Sequence, residues 1–241
     1  FYEARLEVTR DLVRGLSLSG AYSLSRTRDN WLQSWSGDPT DELAPFPSDP
    51  IGGGWAKGIS DFDVPQRALL TATWHSAGRF PVTLAGRYRY QSGLPFTPGF
   101  QPGVDANGDG SGRNDPAFID PSIPGVPGLV PQHPCLADQV GKFAARNSCR
   151  EAARQAVDFA ASIALPVHSV GGHVEVTLDV VNLVTSRSGV VDRALVRVNP
   201  NGPNGVLVTD PSGNVTLPLV ANPHFGKLLS RRDEPRVLRL G

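Results

Sequence analysis

The sequence predicts an all-β fold, an antiparallel up-and-down meander of about seven long strands. Two observations support this prediction. Apolar and polar residues alternate with a period of two along most segments that lack glycine and proline. Short connections also alternate with long ones along the chain. Because successive side chains of a strand point to opposite faces, each predicted strand has one apolar and one polar face.

Three strand pairs, each joined by a short turn, are predicted before a last single strand. The predicted strands are Tyr2–Thr9, Leu16–Ser25, Arg67–His75, Pro81–Gln91, Val157–Leu165, His173–Leu183 and Arg236–Gly241. Long connections rich in glycine, proline and aspartate separate the pairs, at about residues 29–66, 92–154 and 185–235. In the third connection, Ala194–Asn199 and Val206–Thr209 are predicted to form a small hairpin outside the sheet, and Phe143–Ala156 in the second is predicted to be a short helix.

Alternation alone fits both a water-soluble sandwich and a transmembrane barrel. Strand length favours the barrel, because a tilted strand needs about nine to eleven residues to cross a bilayer. The alternation of short and long connections favours it too, with tight periplasmic turns and long extracellular loops. Aromatic residues on the apolar face fit an interfacial girdle, although they also fit a sandwich core: Tyr2, Tyr22, Trp74, Tyr88, Tyr90 and Phe159.

These features predict part of a transmembrane β-barrel in an outer membrane, with the C-terminus in the periplasm. Bacterial single-chain barrels have even strand numbers, so about seven strands indicate a fragment of a longer protein. The sequence has no methionine and no visible signal peptide, which we interpret in the same way. It has no apolar run of about 18 residues that predicts a transmembrane helix. A net charge of zero without a basic patch argues against nucleic acid as a partner.

The second long connection holds a candidate calcium loop. Asp105, Asn107 and Asp109 alternate as oxygen ligands, and Asp115 follows them. The twelfth position, where an EF-hand has its bidentate glutamate, is Pro116. The same residues also fit a solvated loop of tight turns.

The two cysteines, Cys135 and Cys149, lie in the same connection. They predict a disulfide formed in an oxidising compartment, and the alternative is a pair of free thiols. The five histidines have no spacing typical of a zinc site or a catalytic triad, so we expect neither a cofactor nor an enzymatic activity.

Four stretches resemble the C-terminal barrel portion of TonB-dependent outer-membrane receptors. The similarity is closest to the Oar-like members that carry a carboxypeptidase-regulatory-like N-terminal domain. The stretches are Tyr90–Thr97 followed by Asp105–Gly110 and Arg113–Asp115, then Arg146–Arg150, Leu178–Leu183, and Phe225-Gly226 followed by Pro235–Gly241. Together they span about residues 61–241.

The resemblance implies that residues 1–241 are a C-terminal fragment of such a receptor barrel. Long external loops would capture a bulky extracellular ligand for energised uptake through a plugged lumen. The implied partners are outer-membrane lipid and the TonB complex, which would be contacted through upstream regions. No ligand-binding residue follows from the resemblance. The alternative function is a secreted β-sandwich adhesion module that binds calcium through Asp105–Asp115.

Overall fold

The computed structural model describes residues 1–29, 57–103, 115–167, 172–186, 189–199, 208–209, 215–216, 218–231 and 235–241. One large antiparallel sheet contains seven strands in chain order, each paired with the next. The strands, numbered in chain order, are β1 Tyr2–Asp11, β2 Leu16–Arg26, β3 Gln66–His75, β4 Val82–Gln91, β5 Arg154–Val167, β6 Gly172–Thr185 and β7 Val237–Leu240. The predicted seven-stranded antiparallel meander is therefore confirmed. In the described part of the chain the sheet is open, with β1 and β7 at its edges.

The register assigns every strand residue to one of two faces. Residues directly opposite each other share a face. Leu6 lies opposite Tyr22, Tyr22 opposite Ala68, and Ala68 opposite Tyr90, which gives one row across four strands. We call the face that carries this row the apolar face. By the same register it also carries Val8, Leu18, Leu24, Leu70, Trp74, Leu84, Tyr88, Phe159, Leu165, Val174, Val176, Leu238 and Leu240.

The other side of the sheet, which we call the polar face, carries mainly charged and hydroxyl side chains. It includes Arg5, Ser23, Arg67, Thr71, Arg87, Arg89, Gln91, Arg154, Asp158, Asp179 and Arg239. All six predicted girdle aromatics lie on the apolar face. Phe159, however, lies inside β5 opposite Gly86 rather than at a strand end.

Burial in the sheet differs from that in a water-soluble protein, in which the apolar face of a sheet is usually covered. Among the described side chains of the seven strands, the buried ones are Ser23, Asp158 and Asn182, and all three are polar. Leu6, Leu70 and Leu240 on the apolar face are 66%, 53% and 75% exposed. The buried apolar residues of the described chain all lie outside these strands.

Apart from Val64 in the first long connection, the buried apolar residues lie in a compact unit built from the second and third long connections. We call this unit the cap, and it comprises residues 92–103, 115–153, 189–199 and 218–231. Its helical segments are Val126–Leu129, Val130–Gln132 and Pro134–Gln139. Its short strands pair Pro95–Phe96 with Cys149–Arg150, Gly189–Val191 with Leu228–Arg231, and Ala194–Val198 with both Gly99–Phe100 and Leu219–Ala221.

In the described part of the chain, one helical turn and two pairs of short strands lie outside both the sheet and the cap. A short helical turn, Val13–Gly15, joins β1 to β2. Arg28–Asp29 pairs with Gly58–Ile59 at the base of the first long connection. Val208–Thr209 pairs with Val215–Thr216 in the third connection.

The hairpin predicted from Ala194–Asn199 and Val206–Thr209 is wrong. The strand at Ala194–Val198 forms, but its antiparallel partner is Leu219–Ala221. Val208–Thr209 pairs with Val215–Thr216 instead. Leu195 and Val196 are fully buried in the cap core, so burial of their side chains selects a partner that belongs to the same core.

The short helix predicted over Phe143–Ala156 is also wrong. Asn147 has a left-handed backbone conformation, φ 56°, which a helix interior does not accept. Cys149 and Arg150 form a short strand, and Arg154 already begins β5. The helical turns of this connection lie earlier, between Val126 and Gln139.

Candidate functional site

The cap has its own hydrophobic core, in which residues of the second and third long connections pack against each other. The core comprises Phe96, Ala117, Ile119, Val126, Leu129, Leu136, Ala144, Cys149, Val191, Leu195, Val196 and Phe225. Phe96 of the second connection packs edge-to-face on Phe225 of the third, with ring centroids 5.9 Å apart. The N–H of Ala221 donates to the carbonyl of Pro124 at 2.9 Å. Segments separated by more than 100 residues therefore form one packed unit above the sheet.

Cys135 and Cys149 are joined by a disulfide inside this unit. Their Cα atoms are 5.2 Å apart, within the usual range for a disulfide. The bond links the helical segment at Pro134–Gln139 to the short strand at Cys149–Arg150. Cys149 is 1% exposed and belongs to the core, so the bond fixes a buried strand rather than a loop tip.

Three ion pairs attach the base of the first long connection to the second. The Arg146 side chain is 1% exposed, and its Nη1 lies 2.6 Å from Oδ1 of Asp29. Its Nη2 lies 3.9 Å from Oδ1 of Asp61. Arg150 forms an ion pair with Asp63, whose carboxylate also accepts from the backbone N–H of Thr27. The stretch Arg146–Arg150, first noted for its family resemblance, thus holds the bases of two connections together.

Asn147 completes this junction from a left-handed backbone position. Asparagine adopts this conformation more readily than most residues. Its Nδ2 donates to the carbonyl of Ile59 at 2.7 Å and to Oδ1 of Asp61 at 2.5 Å. Its backbone N–H donates to Oγ1 of Thr97 at 2.8 Å. One buried side chain therefore connects the first and second connections.

Gly93 marks the point where β4 leaves the sheet and enters the cap. A Cβ at this position would lie 1.8 Å from the carbonyl oxygen of Glu151. The N–H of Glu151 donates to the carbonyl of Leu94, so the two backbones are in direct contact here. Two stretches that carried the family resemblance, Tyr90–Thr97 and Arg146–Arg150, therefore run side by side.

We expect Gly93→Ala to loosen the cap base, because the added methyl group overlaps a backbone atom that cannot move away alone. The expected cost is about 1–3 kcal/mol, measured as faster amide hydrogen exchange of Glu151 and Ala144. Gly86→Ala in β4 is the matched control, since a Cβ there meets no atom of the described residues within 4 Å. Equal exchange rates in both variants would contradict the close approach at Gly93.

His133 is the group from which we predict a pH response of the cap. Its ring packs edge-to-face on Phe225 at a centroid distance of 4.8 Å. Burial lowers the pKa of His133 below its usual value of 6.5, because the apolar surroundings disfavour the charged ring. At His133 the folded state therefore binds protons less readily than the unfolded chain does, and the contribution of this residue to stability is full above pH 6.5 and is lost as the pH falls below it.

We expect the amide exchange of the cap core to accelerate between pH 6.5 and pH 5, after correction for the intrinsic exchange rate. His133→Gln removes the titrating group, so its corrected exchange should be nearly independent of pH in this range. His173→Gln on the polar face serves as the control and should behave like the wild type. A wild-type cap with no pH response would contradict the prediction.

The polar face carries a charge network around one buried carboxylate, which sequence reasoning missed. Asp158 accepts from Nε and Nη2 of Arg87 at 3.0 and 2.8 Å, and Nη2 of Arg89 lies 3.3 Å from its Oδ2. Its Oδ1 also accepts from the backbone N–H of Asn182 at 2.9 Å. The network joins β4, β5 and β6 across the polar face.

Asn182 is the residue that distorts β6 at this network. It has a left-handed backbone, φ 56°, and is 2% exposed. The register between β5 and β6 shifts here, between Val157 and Phe159. Nδ2 of Asn182 donates to the carbonyl of Pro235, which precedes β7. One signal was visible in the sequence, a lone asparagine within the apolar run Val180–Val184, but nothing indicated its backbone conformation.

The candidate calcium ligands Asp105, Asn107 and Asp109 lie outside the described residues. Asp115 is described and is 4% exposed, next to Pro116, which bridges Gly99. Within the described ranges, histidine, cysteine, aspartate and glutamate residues form no group of three that could hold a metal ion. The calcium site therefore stays a prediction.

Comparisons with known proteins identify no relative. No family model matches the chain, and neither a curated protein nor a solved structure is similar to it. Among the helices in the described part of the chain, none is long and apolar enough to cross a bilayer.

Proposed function

We propose that this chain forms part of the wall and the external mouth of a transmembrane β-barrel receptor, of the TonB-dependent class that its sequence resembles. The single observation that carries the proposal is the lack of cover on the apolar face of the sheet. Each of the seven strands has an exposed apolar residue on this face, whereas the buried side chains of these strands are Ser23, Asp158 and Asn182. Lipid is the solvent that favours such a surface, because it accepts apolar side chains without the cost that water imposes.

The arrangement of charges on the apolar face fits a bilayer. By the register, this face carries two charged residues among its described positions, Arg10 and Arg26. Arg10 lies near the short-turn end of β1. Arg26 is the last residue of β2, at the long-connection end of the strands. Long cationic side chains at the ends of spanning segments reach the polar interface. The strands between these ends are uncharged on this face and about ten residues long, which suffices for a tilted crossing.

The exposed apolar face favours this proposal over the secreted sandwich. A sandwich buries the inner apolar face of one sheet under a second sheet about 10 Å away. Soluble monomers rarely expose contiguous apolar patches larger than a few hundred Å². Here the described residues of the cap pack on one another and leave this face exposed.

The three long connections leave the same end of the sheet, and their described parts build the cap and its junction. In the proposed orientation this end is extracellular, the short turns are periplasmic, and the cap captures the ligand before passage through the lumen. An open sheet with two unpaired edges is unfavourable in lipid, so the proposal requires further strands that pair with β1 and β7 and close the barrel.

Membrane fractionation of the full-length gene product tests the proposal. We expect the protein in the outer-membrane fraction, with a mobility in detergent gels that changes when the sample is heated. This change reflects a barrel that resists unfolding in cold detergent. A protein that stays in the soluble fraction and migrates identically before and after heating would contradict the proposal.

A further inference from the structure

A row of basic residues crosses the polar face near its long-connection end. Arg67 of β3 lies directly opposite Gln91 of β4, and Gln91 lies directly opposite Arg154 of β5. Ser23 of β2 and Arg5 of β1 continue the row on the other side of Arg67. All five side chains share one face because directly opposed residues do so.

Two of these arginines have unused binding capacity. Arg5 is paired with Glu7, and Arg89 in the next row is paired with Asp158. Arg67 and Arg154, by contrast, form neither an ion pair nor a side-chain hydrogen bond with the residues that the structure describes. Nη2 of Arg154 is buried and has no hydrogen-bond partner among the described residues. A buried guanidinium nitrogen without a partner is costly, and an anionic ligand would remove that cost.

The spacing of the two free arginines suits a single oxyanion. Neighbouring strands are about 4.8 Å apart, so the Cα atoms of Arg67 and Arg154 are separated by about 10 Å, with Gln91 between them. Arginine side chains are long enough to meet above the glutamine, and their planar forks bind phosphate or carboxylate oxygens in pairs. The Gln91 amide adds a donor between them.

A cavity of about 470 Å³ lies over this part of the sheet. Its lining includes Arg67, Arg89, Gln91 and Arg154, and most of its lining residues belong to the polar face. This volume is in the range of sites that take small molecules. Two of its lining residues, Gln91 and Arg154, are the last residue of β4 and the first residue of β5, where the chain passes between the sheet and the cap.

We propose that Arg67 and Arg154, with Gln91 between them, bind a phosphate or carboxylate group of an anionic ligand at the mouth of the lumen. This inference rests on the proposed function, since it takes the polar face as the wall of a water-filled passage. It adds the chemical class of the ligand, a small or extended molecule with at least one oxyanion group. It also adds the residues that select it.

Calorimetric titration of the full-length protein in detergent tests the site, with inorganic pyrophosphate and citrate as probes and glucose as the neutral control. We expect both anions to bind, glucose not to bind, and the affinity to fall as sodium chloride is raised. Arg67→Gln and Arg154→Gln should each weaken anion binding by about tenfold or more, because each removes charge-assisted hydrogen bonds. Arg154→Lys should recover part of the loss, since it restores the charge without the planar fork.

Arg239→Gln is the matched control, an exposed arginine on the same face but at β7, opposite Asp179. It should bind both anions like the wild type. Binding of pyrophosphate and citrate that neither Arg67→Gln nor Arg154→Gln weakens would overturn the inference, and so would a wild-type protein that binds neither anion.

The heat-dependent gel mobility of the same samples separates the two proposals. A heat-modifiable membrane protein that binds no anion overturns the arginine site alone. A soluble protein without heat-dependent mobility overturns the proposed function, and the site with it.

Discussion

Replacing Cys135 and Cys149 together by serine is expected to destabilise the cap by about 3 kcal/mol, the usual contribution of a disulfide that closes a loop of about 15 residues. The two cysteines are 14 positions apart in the sequence. Because Cys149 is part of the cap core and its strand pairs with Pro95–Phe96, loss of the bond should loosen the packing of Phe96 on Phe225 as well. The sheet below should be little affected, since its own hydrogen bonds are unchanged.

Amide hydrogen exchange measures this effect locally. The core amides of Ile119 and Ala144 bond within the cap, and we expect their exchange to be about a hundredfold faster in the double variant. A reducing agent should reproduce the effect in the wild type and add nothing in the variant. Unchanged exchange in the double variant would show that the apolar core holds the cap without the bond.

Asp158→Ala is expected to have the second large effect, a loss of about 2–3 kcal/mol in the stability of the sheet. The carboxylate is 10% exposed, whereas Arg87 and Arg89 are 50% and 40% exposed. The arginines can therefore turn to water after the substitution, which limits the cost. The backbone N–H of Asn182 cannot, because this residue is held at the distortion of β6 and is 2% exposed.

Denaturant unfolding in detergent measures the Asp158→Ala loss, with Asp179→Ala as the matched control. Asp179 is a carboxylate on the same face of the neighbouring strand, opposite Arg239, and forms no ion pair with the described residues. Its substitution should change the stability by less than about 0.5 kcal/mol. Asp158→Asn should be intermediate, because it still accepts from Asn182 but loses the charge that the arginines face. Equal losses for Asp158→Ala and Asp179→Ala would contradict the network.

The sheet could be predicted from the sequence because its determinants are local. A period of two assigns each residue to a face, and a slip of one residue would turn every apolar side chain to the wrong side. The pattern Leu16, Leu18, Gly20, Tyr22 therefore determines both the strand and its register. Predicted and observed strand ends differ most at β5, which begins at Arg154 rather than Val157 and extends to Val167.

The cap could not be predicted in the same way, because its pairings are short and distant. Gly99–Phe100 pairs with Ala194–Val198, about 95 residues away, and two-residue strands show no periodicity. What selects these partners is the shared core around Phe225 and Leu195, which exists only once both connections are folded. The predicted hairpin near Pro200 failed for this reason.

The charge network at Asp158 lies between these two cases. The alternation predicts that Asp158 is on the polar face, opposite Arg87. It does not predict that the carboxylate is buried, because its burial depends on the distortion of β6 at Asn182. That distortion is a backbone feature, and an asparagine within an apolar run does not specify it.

The central claim is that the apolar face of the sheet contacts lipid, and adjacent spin labels on β3 test it most directly. Leu70 lies on the apolar face opposite Tyr88, and Thr71 lies on the polar face opposite Arg87. Both cysteines of this chain are in the disulfide, so a thiol introduced at either position can be labelled selectively.

The measurement compares relaxation of the spin label by oxygen, which concentrates in lipid, with its relaxation by a water-soluble nickel chelate. In lipid vesicles we expect the label at position 70 to respond to oxygen and not to nickel, and the label at position 71 to show the reverse. A label at position 70 that responds to nickel, or to neither reagent, would contradict the claim.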